Sequence, residues 1–159
     1  MRINGNIEVS APIDLVWSIV TDPECVLNFM SGVTRWEVVS GKPTGIGARY
    51  QTLLRVGAAE VGGLIEVVEW VPPSEFAWTS VTGVDQRGRW RLRERPHNRT
   101  RVELRLAYGV AGAGLIGWVA ERVAAPTVSG HVRRSLRQLK RLVEHEQLRE
   151  RAAARRAVR

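Results

Sequence analysis

The feature that most constrains the fold of this chain is one long amphipathic stretch near its C-terminus. Apolar side chains recur there every three or four residues, at Ala125, Val128, Val132, Leu136, Leu139 and Val143. This spacing places them in a single stripe along an α-helix, whose other side carries mainly charged residues. Because such a stripe has to be buried, and because most of the preceding chain has the pattern of strands, we expect a helix over about 115–146 that packs on a sheet.

Two residues interrupt the regularity of this predicted helix. Pro126 has no backbone N–H and its ring clashes with the carbonyl four residues earlier, so the sequence predicts either a kink there or two abutting helices. Gly130 weakens the same region, and the glycine-rich stretch 109–117 just before it has little side-chain bulk. The stripe from Leu136 onward is regular. We therefore expect a pocket beside the first half of the helix and packed core beside the second half.

Upstream of the helix, the period of the apolar residues is that of strands. Alternation predicts a strand over 3–10, and two short helices follow it, the first opened by Pro12 and the second ended by Ser31 and Gly32. Six more strands are predicted over 33–40, 48–55, 59–71, 75–81, 87–95 and 100–108. Their short links favour antiparallel hairpins. The predicted class is α+β: a curved seven-stranded antiparallel sheet wrapped around a long C-terminal helix, with two short helices between strands 1 and 2.

The strand over 87–95 predicts which way the sheet faces. Trp90 and Leu92 share one side of it, which we expect to be the buried side. The other side carries a row of arginines, at Arg87, Arg89, Arg91 and Arg93. The simplest interpretation is a solvated outer face whose arginines pair with Glu103 and its neighbours. Contact with an anionic surface is the second interpretation.

The net charge of +8 is concentrated at one end of the chain. Residues 133–159 contain ten Lys or Arg against three Glu, which leaves a net charge of only +1 for the rest. The basicity therefore belongs to one helix face and a tail, which argues against specific nucleic-acid binding. We expect a single domain over 1–146 and a basic, frayed extension over 147–159 that makes at most a weak contact with an anionic surface.

Several kinds of site are not indicated by the sequence. The three histidines, His97, His131 and His145, lack the spacing of metal ligands, and neither a nucleophile elbow nor a phosphate loop is present. We expect no metal and no cofactor. The N-terminus has no signal pattern, and the longest uncharged run, over 106–120, is too short to span a membrane. The predicted location is the cytoplasm, while the oligomeric state stays open.

Several short motifs, taken in order, resemble the START-like helix-grip superfamily, also written SRPBCC. They are Ile7-Glu8-Val9-Ser10-Ala11-Pro12, Val16-Trp17, Asp22-Pro23, Gly45-Ile46-Gly47-Ala48-Arg49-Tyr50, Trp78, Arg89-Trp90-Arg91-Leu92, Thr100-Arg101-Val102 and the pair Leu136 and Leu139. The branch most similar to them is the polyketide cyclase/dehydrase and lipid-transport group. The resemblance covers nearly all of the chain except the Arg-rich end, although Phe29 stands where members often carry Trp. It implies a hydrophobic-ligand cavity between sheet and helix, but no particular reaction, because members differ widely in function.

Candidates for lining that cavity lie on the predicted inner face of the sheet and around the helix break. They are Tyr50, Trp78, Trp90, Tyr108, Trp118, Arg122, Thr127 and His131. Aromatic side chains around a cavity suit a flat or polycyclic ligand, although any one of them also serves as core.

The sequence leaves two main functions open. The first, slightly favoured, is a carrier or sensor of a lipid- or polyketide-like molecule. The second is a cyclase or dehydrase in which His131, Arg122 or Tyr108 acts as an acid, a base or a positioning group. A third interpretation is an interaction protein that uses its basic tail.

Overall fold

A computed structural model describes the backbone of residues 1–109 and 114–159, and the side chains of 1–109 and 124–159. The elements, in chain order, are β1 (Arg2–Val9), α1 (Ile13–Val20), α2 (Val26–Phe29), β2 (Val33–Val38), β3 (Arg49–Val56), β4 (Ala59–Val71), β5 (Glu75–Ser80), β6 (Asp85–Arg95), β7 (Arg99–Gly109) and α3 (Gly114–Ala157). The predicted fold class is confirmed, with each predicted strand found within about two residues of its bounds, which is the usual disagreement between ways of assigning them.

The sheet is a single layer of seven strands in the order β1-β7-β6-β5-β4-β3-β2. Every neighbouring pair is antiparallel. Strands β2 to β7 follow one another as hairpins, as their short links predicted. The first strand pairs with the last, Ile3 lying opposite Leu106, so both ends of the strand region meet beside the helix that follows.

The stripe of α3 lies on β1 and closes the core. Residues Val132 to Val143 of the stripe are at most 3% exposed, and burying each such side chain stabilises the fold by about 1.5–3 kcal/mol. Gly5 permits the close approach, because a Cβ at that position would lie 2.8 Å from Leu136. Farther along, Lys140 Nζ donates to the Glu8 carbonyl at 2.9 Å and fixes the helix to the end of β1.

Helix α3 is continuous from Gly114 to Ala157, and Pro126 lies inside it. The alternative of two abutting helices is therefore wrong, since the helix continues on both sides of the proline. The helix also runs through the basic extension, 147–159, as far as Ala157, and every residue after Gln147 is exposed. Within the described part of the chain, no helix has both the length and the apolar character needed to cross a membrane.

The inner and outer faces of β6 are as predicted, but the partners of the arginines differ. Trp90 is buried, while Arg89 bonds to Glu69 and Glu75, and Arg91 also bonds to Glu75. The expected partner, Glu103, bonds instead to Arg105 at 2.6 Å. The reason lies in the register: Arg91 stands between Glu75 on one side and Glu103 on the other, and only the register shows that Glu75 is available.

Candidate ligand pocket

A cavity lies between the inner face of the sheet and residues 128–135 of α3. Its volume is about 50 Å³. Since one water needs only about 10–15 Å³ of such space, the cavity holds a few waters. It is well below the roughly 300–1,000 Å³ of a site for a drug-sized ligand. A polycyclic ligand would therefore have to displace some of the side chains that line it.

An aromatic wall forms the sheet side of the cavity. Trp36 and Trp78 line it, with ring centroids 6.1 Å apart and planes at 89°. Trp36 also stacks on Tyr50, with ring centroids 5.2 Å apart. The Tyr50 hydroxyl donates to the Pro43 carbonyl at 2.5 Å, so the ring against which Trp36 stacks is itself fixed.

Gly88 provides the space that Trp78 occupies. The two residues lie opposite each other on β6 and β5, and a Cβ on Gly88 would come within 1.9 Å of the Trp78 ring. Glycine is therefore required here for close approach, and it lets the indole lie flat over the neighbouring strand. The sequence pattern placed Gly88 on the inner face, and its function there is to make room for an aromatic side chain.

Trp36 has a further property that matters for binding. Its indole Nε1 is buried, and it is the one buried side-chain nitrogen or oxygen without a hydrogen-bond partner among the described residues. Buried polar groups are nearly always paired, so an exception needs an explanation.

A polar corner, formed by Ser31, His131, Arg134 and Ser135, lies on the helix side of the cavity, and all of these except Arg134 line it. His131 Nε2 lies 3.0 Å from the Arg55 carbonyl. Because a carbonyl only accepts, Nε2 carries the proton and Nδ1 is the acceptor. Nδ1 lies 3.0 Å from Ser31 Oγ and 3.1 Å from Arg134 Nη2, both of which can donate to it. The imidazole thus ties α3 to the end of β3 and to the turn after α2.

The same turn is held by two more features of the polar corner. The Ser31 backbone N–H donates to Ser135 Oγ at 2.8 Å, and Ser135 is buried. Gly32 adopts a φ of +81°, and a Cβ there would lie 2.6 Å from the His131 ring. A side chain at position 32 would therefore be strained and would clash with the imidazole, so the turn requires glycine.

Protonation states follow from burial and from neighbouring charge. Desolvation is the main cause of a lowered His131 pKa, the Arg134 charge lowers it further, and the hydrogen bond to the Arg55 carbonyl opposes both. The imidazole is therefore neutral at pH 7. Burial raises the pKa of Tyr108 to about 12, so its hydroxyl stays protonated and can act as a donor or an acid, but not as a base.

Three of the residues predicted from the sequence line the cavity together: Trp78, Tyr108 and His131. Two others stand outside its lining. Tyr50 lies behind Trp36, and Trp90 is core that packs edge-on against Phe29 at 6.1 Å.

Thr127, also predicted, is half-buried and does not line the cavity. Trp118 and Arg122 lie outside the residues whose side chains the structure describes. Ligand contact by any of these predicted residues stays a prediction.

Sequence reasoning missed Trp36, Ser31 and Ser135. Trp36 stands on edge strand β2, where a register shift between Val33 and Arg35 disturbs the alternation. Its one signal is a large aromatic side chain between two charged residues, Arg35 and Glu37. Ser135 could have been found as a polar residue one helical turn after His131, on the border of the apolar stripe.

The described part of the chain contains no group of three or more His, Cys, Asp or Glu arranged to hold a metal ion.

Comparison with known proteins gives a family and a set of similar folds. The family described as polyketide cyclase / dehydrase and lipid transport matches residues 1–144. No curated protein matches the chain.

Among solved structures, a protein of Thermus thermophilus is similar with a TM-score of 0.77 and 21% identity, over 90% of this chain and 97% of that one. The Zhui aromatase/cyclase from a Streptomyces strain is similar with a TM-score of 0.74 and 18% identity, over 91% of this chain and 93% of that one. A START superfamily protein from Mycobacterium smegmatis is similar with a TM-score of 0.69 and 15% identity, over 91% and 97% of the two chains. At these identities the similarity shows the fold.

Proposed function

The chain belongs to the polyketide cyclase/dehydrase and lipid transport family, and we propose on that premise that it binds or carries a hydrophobic, lipid- or polyketide-like molecule between the sheet and the first half of α3. The observation that carries the proposal is the cavity itself. It has an aromatic wall on one side, a small polar corner on the other, and little polar surface between them, which is the usual composition of a small-molecule site.

Binding requires the cavity to widen, and its lining suits that. Met30 lines the cavity, and an unbranched thioether side chain changes rotamer easily to fit different shapes. The cavity lining also includes Val33, Leu54 and Val61, apolar side chains on the edge strand β2 and on β3 and β4 beside it. We propose that the ligand enters beside β2 and its neighbours, because the opposite end of the helix is solid core.

A carrier is favoured over an enzyme by the state of His131. Both ring nitrogens are already engaged with protein atoms, so the imidazole holds the fold together and has no free basic nitrogen. Tyr108 keeps its proton because burial raises its pKa to about 12. Catalysis by general acid and base would need a second group at hydrogen-bond distance from the same point of the ligand.

The alternative is a cyclase or dehydrase. It is supported by the family description and by the similarity to the fold of the Zhui aromatase/cyclase. In that case a ligand hydroxyl would take the place of Ser31 at His131 Nδ1, which would act as the base, and Tyr108 would donate a proton. Turnover of a polyketide-like substrate that is lost in both His131→Gln and Tyr108→Phe would establish this alternative.

Binding is tested with a fluorescent naphthalene sulfonate probe and with native mass spectrometry of the purified protein. We expect Trp78→Phe to weaken probe binding, because Trp78 lines the cavity. Trp70→Phe is the matched control, because Trp70 packs against Trp17 and Phe76 and does not line it. Absence of any bound or co-purified hydrophobic molecule, or equal effects of both substitutions, would contradict the proposal.

The third interpretation, an interaction through the basic extension, has one structural observation in its favour. Residues 148–159 carry five arginines against one glutamate and are exposed throughout. Salt-sensitive binding to anionic vesicles that disappears when 148–159 are deleted would support it. The single free cysteine, Cys25, is compatible with the cytoplasmic location that we propose.

A further inference from the structure

We infer that the indole N–H of Trp36 is reserved for an oxygen atom of the ligand, so that the pocket selects flat, largely apolar molecules that carry a carbonyl or similar acceptor oxygen. The inference rests on the proposed function, because it requires that a ligand enters this cavity. It adds the chemical class of the ligand and the residue that recognises it.

The first step is that the unpaired donor is fixed in place. Trp36 stacks on Tyr50 with the ring planes at 29°, and it meets Trp78 edge to face at 89°. Rotation of the indole toward solvent would break both contacts. The missing hydrogen bond is therefore a property of the packed site and not of a mobile surface side chain.

The second step is that no oxygen atom of the described residues accepts a hydrogen bond from the Trp36 N–H. Two hydroxyls of the cavity lining are already engaged: Thr52 Oγ1 donates to the Gly63 carbonyl, and Ser135 Oγ accepts from the Ser31 N–H. Trp36 Nε1 itself has no partner. The edge-to-face contact with Trp78 offers at most an aromatic face, and an aromatic face is a weaker acceptor than oxygen.

The third step concerns water. The Trp36 Nε1 atom is buried, although the cavity that Trp36 lines has a volume of only about 50 Å³. Because this atom has almost no surface open to water, the few waters that the cavity can hold do not reach the N–H. A ligand that widens the cavity exposes the N–H to its own atoms, and a ligand oxygen then removes the cost of the unpaired donor. A hydrocarbon of the same shape cannot do so, because it leaves the donor unpaired.

These steps make Trp36 a residue that discriminates between ligands. Apolar contact with the aromatic wall gives affinity to any flat hydrophobic molecule, and the N–H favours those with an acceptor at the right place. A site that holds an unpaired polar group rejects an analogue without the matching group more strongly than a purely apolar site does. The pocket should therefore prefer ketones, quinones and related ring systems over plain hydrocarbons.

The test uses a matched pair of probes, 9-fluorenone and fluorene, which differ in a carbonyl oxygen and share the ring system. The variant is Trp36→Phe, which keeps an aromatic ring and removes the N–H. We expect wild-type protein to bind fluorenone about tenfold more tightly than the variant does, the change expected for one buried hydrogen bond. Fluorene should bind both proteins equally, and Trp70→Phe should change neither affinity.

A spectroscopic readout locates the hydrogen bond directly. The chain has six tryptophans and so six indole N–H signals in a ¹⁵N-labelled sample, and the one missing in Trp36→Phe belongs to Trp36. Fluorenone should shift that signal downfield, as a new oxygen acceptor does, and fluorene should not. Thermal unfolding without ligand shows that the variant is folded.

Each other outcome has a distinct meaning. Equal fluorenone affinity of wild type and Trp36→Phe, with both probes bound, would overturn the inference and leave the proposed function standing. An equal loss of both probes in the variant would also overturn it, since the residue would then act through ring packing alone. If wild-type protein binds neither probe, both the inference and the proposed pocket fail for flat aromatic ligands.

Discussion

Two consecutive parts of α3 pack differently against the rest of the protein, although they share one apolar stripe. Around residues 136–143 the stripe meets β1 and the core is solid, with Leu139 and Val143 fully buried. Around residues 128–135 the helix also faces β3 and the turn after α2, and there the cavity, His131 and Ser135 are found. The half that stabilises the fold and the half that we propose binds a ligand are thus consecutive turns of one helix.

What separates the two halves is the element across from the helix. Gly5 lets β1 come so close that Leu136 and Val132 touch its backbone, which leaves no space. Residues 128–135 also make hydrogen bonds, from His131 to the Arg55 carbonyl of β3 and from the Ser31 N–H to Ser135 Oγ. The cavity therefore lies between the helix and the sheet beside the point at which His131 bonds to β3.

The largest expected effect is on the solid half. Leu136→Ala should lower the free energy of unfolding by about 2–5 kcal/mol, as truncation of a buried leucine does. Leu148→Ala on the same helix is the control, because Leu148 is 63% exposed, and its effect should stay within about 0.5 kcal/mol. Denaturant unfolding of both variants checks this. Similar small values for the two would show that the helix is not docked along β1.

On the cavity half, the largest expected change in stability comes from adding a Cβ at position 88. Gly88→Ala places a Cβ within 1.9 Å of the Trp78 ring, and such overpacking costs about 1–3 kcal/mol. Because the ring must shift toward the cavity that it lines, binding of a hydrophobic probe should weaken as well. Gly41→Ala is the control, since nothing lies within 4 Å of a Cβ there. Unchanged stability and unchanged binding in Gly88→Ala would contradict this account of the wall.

The sequence could predict the solid half better than the cavity half. The helix stripe and the strand alternation are local periodicities, and they placed Leu136 in the core and Trp90 on the inner face of the sheet. The cavity depends on contacts between distant residues, such as His131 with Ser31 and with the Arg55 carbonyl, 100 and 76 positions away. Periodicity places His131 beside the stripe but does not indicate that both of its nitrogens are bonded.

Trp36 shows a second limit of sequence reasoning. The register shift between Val33 and Arg35 disturbs the alternation that would have placed Trp36 on the inner face. Its unpaired N–H is a property of the surroundings, and no pattern along the chain shows it. The glutamates that pair with Arg89 and Arg91 could not be predicted for the same reason, because they depend on which strands lie on either side of β6.

A smaller effect is expected from the serine that holds the turn after α2. Ser135→Ala removes the acceptor of the Ser31 N–H, which lies at 2.8 Å from Ser135 Oγ, and should lower the free energy of unfolding by about 1 kcal/mol. The control is Ser18→Ala, since the Ser18 hydroxyl bonds only within its own helical turn, to the Leu15 carbonyl. Equal effects of the two substitutions would mean that the polar corner does not hold the turn.

The smallest expected effect is the pH dependence of the free energy of unfolding that His131 causes in the cavity half. Burial and the Arg134 charge lower the pKa of His131 below its usual 6.5. The unfolded chain then binds more protons than the folded one between the lowered pKa and 6.5, so stability rises with pH through that window and is lost as the pH falls through it. Protonation also gives Nδ1 a hydrogen that faces the Arg134 guanidinium 3.1 Å away, which sets two donors and two positive charges against each other. His131→Gln should flatten the dependence of unfolding free energy on pH between about 5 and 7. Equal slopes in wild type and His131→Gln would show that the imidazole does not hold the cavity half together in its neutral form.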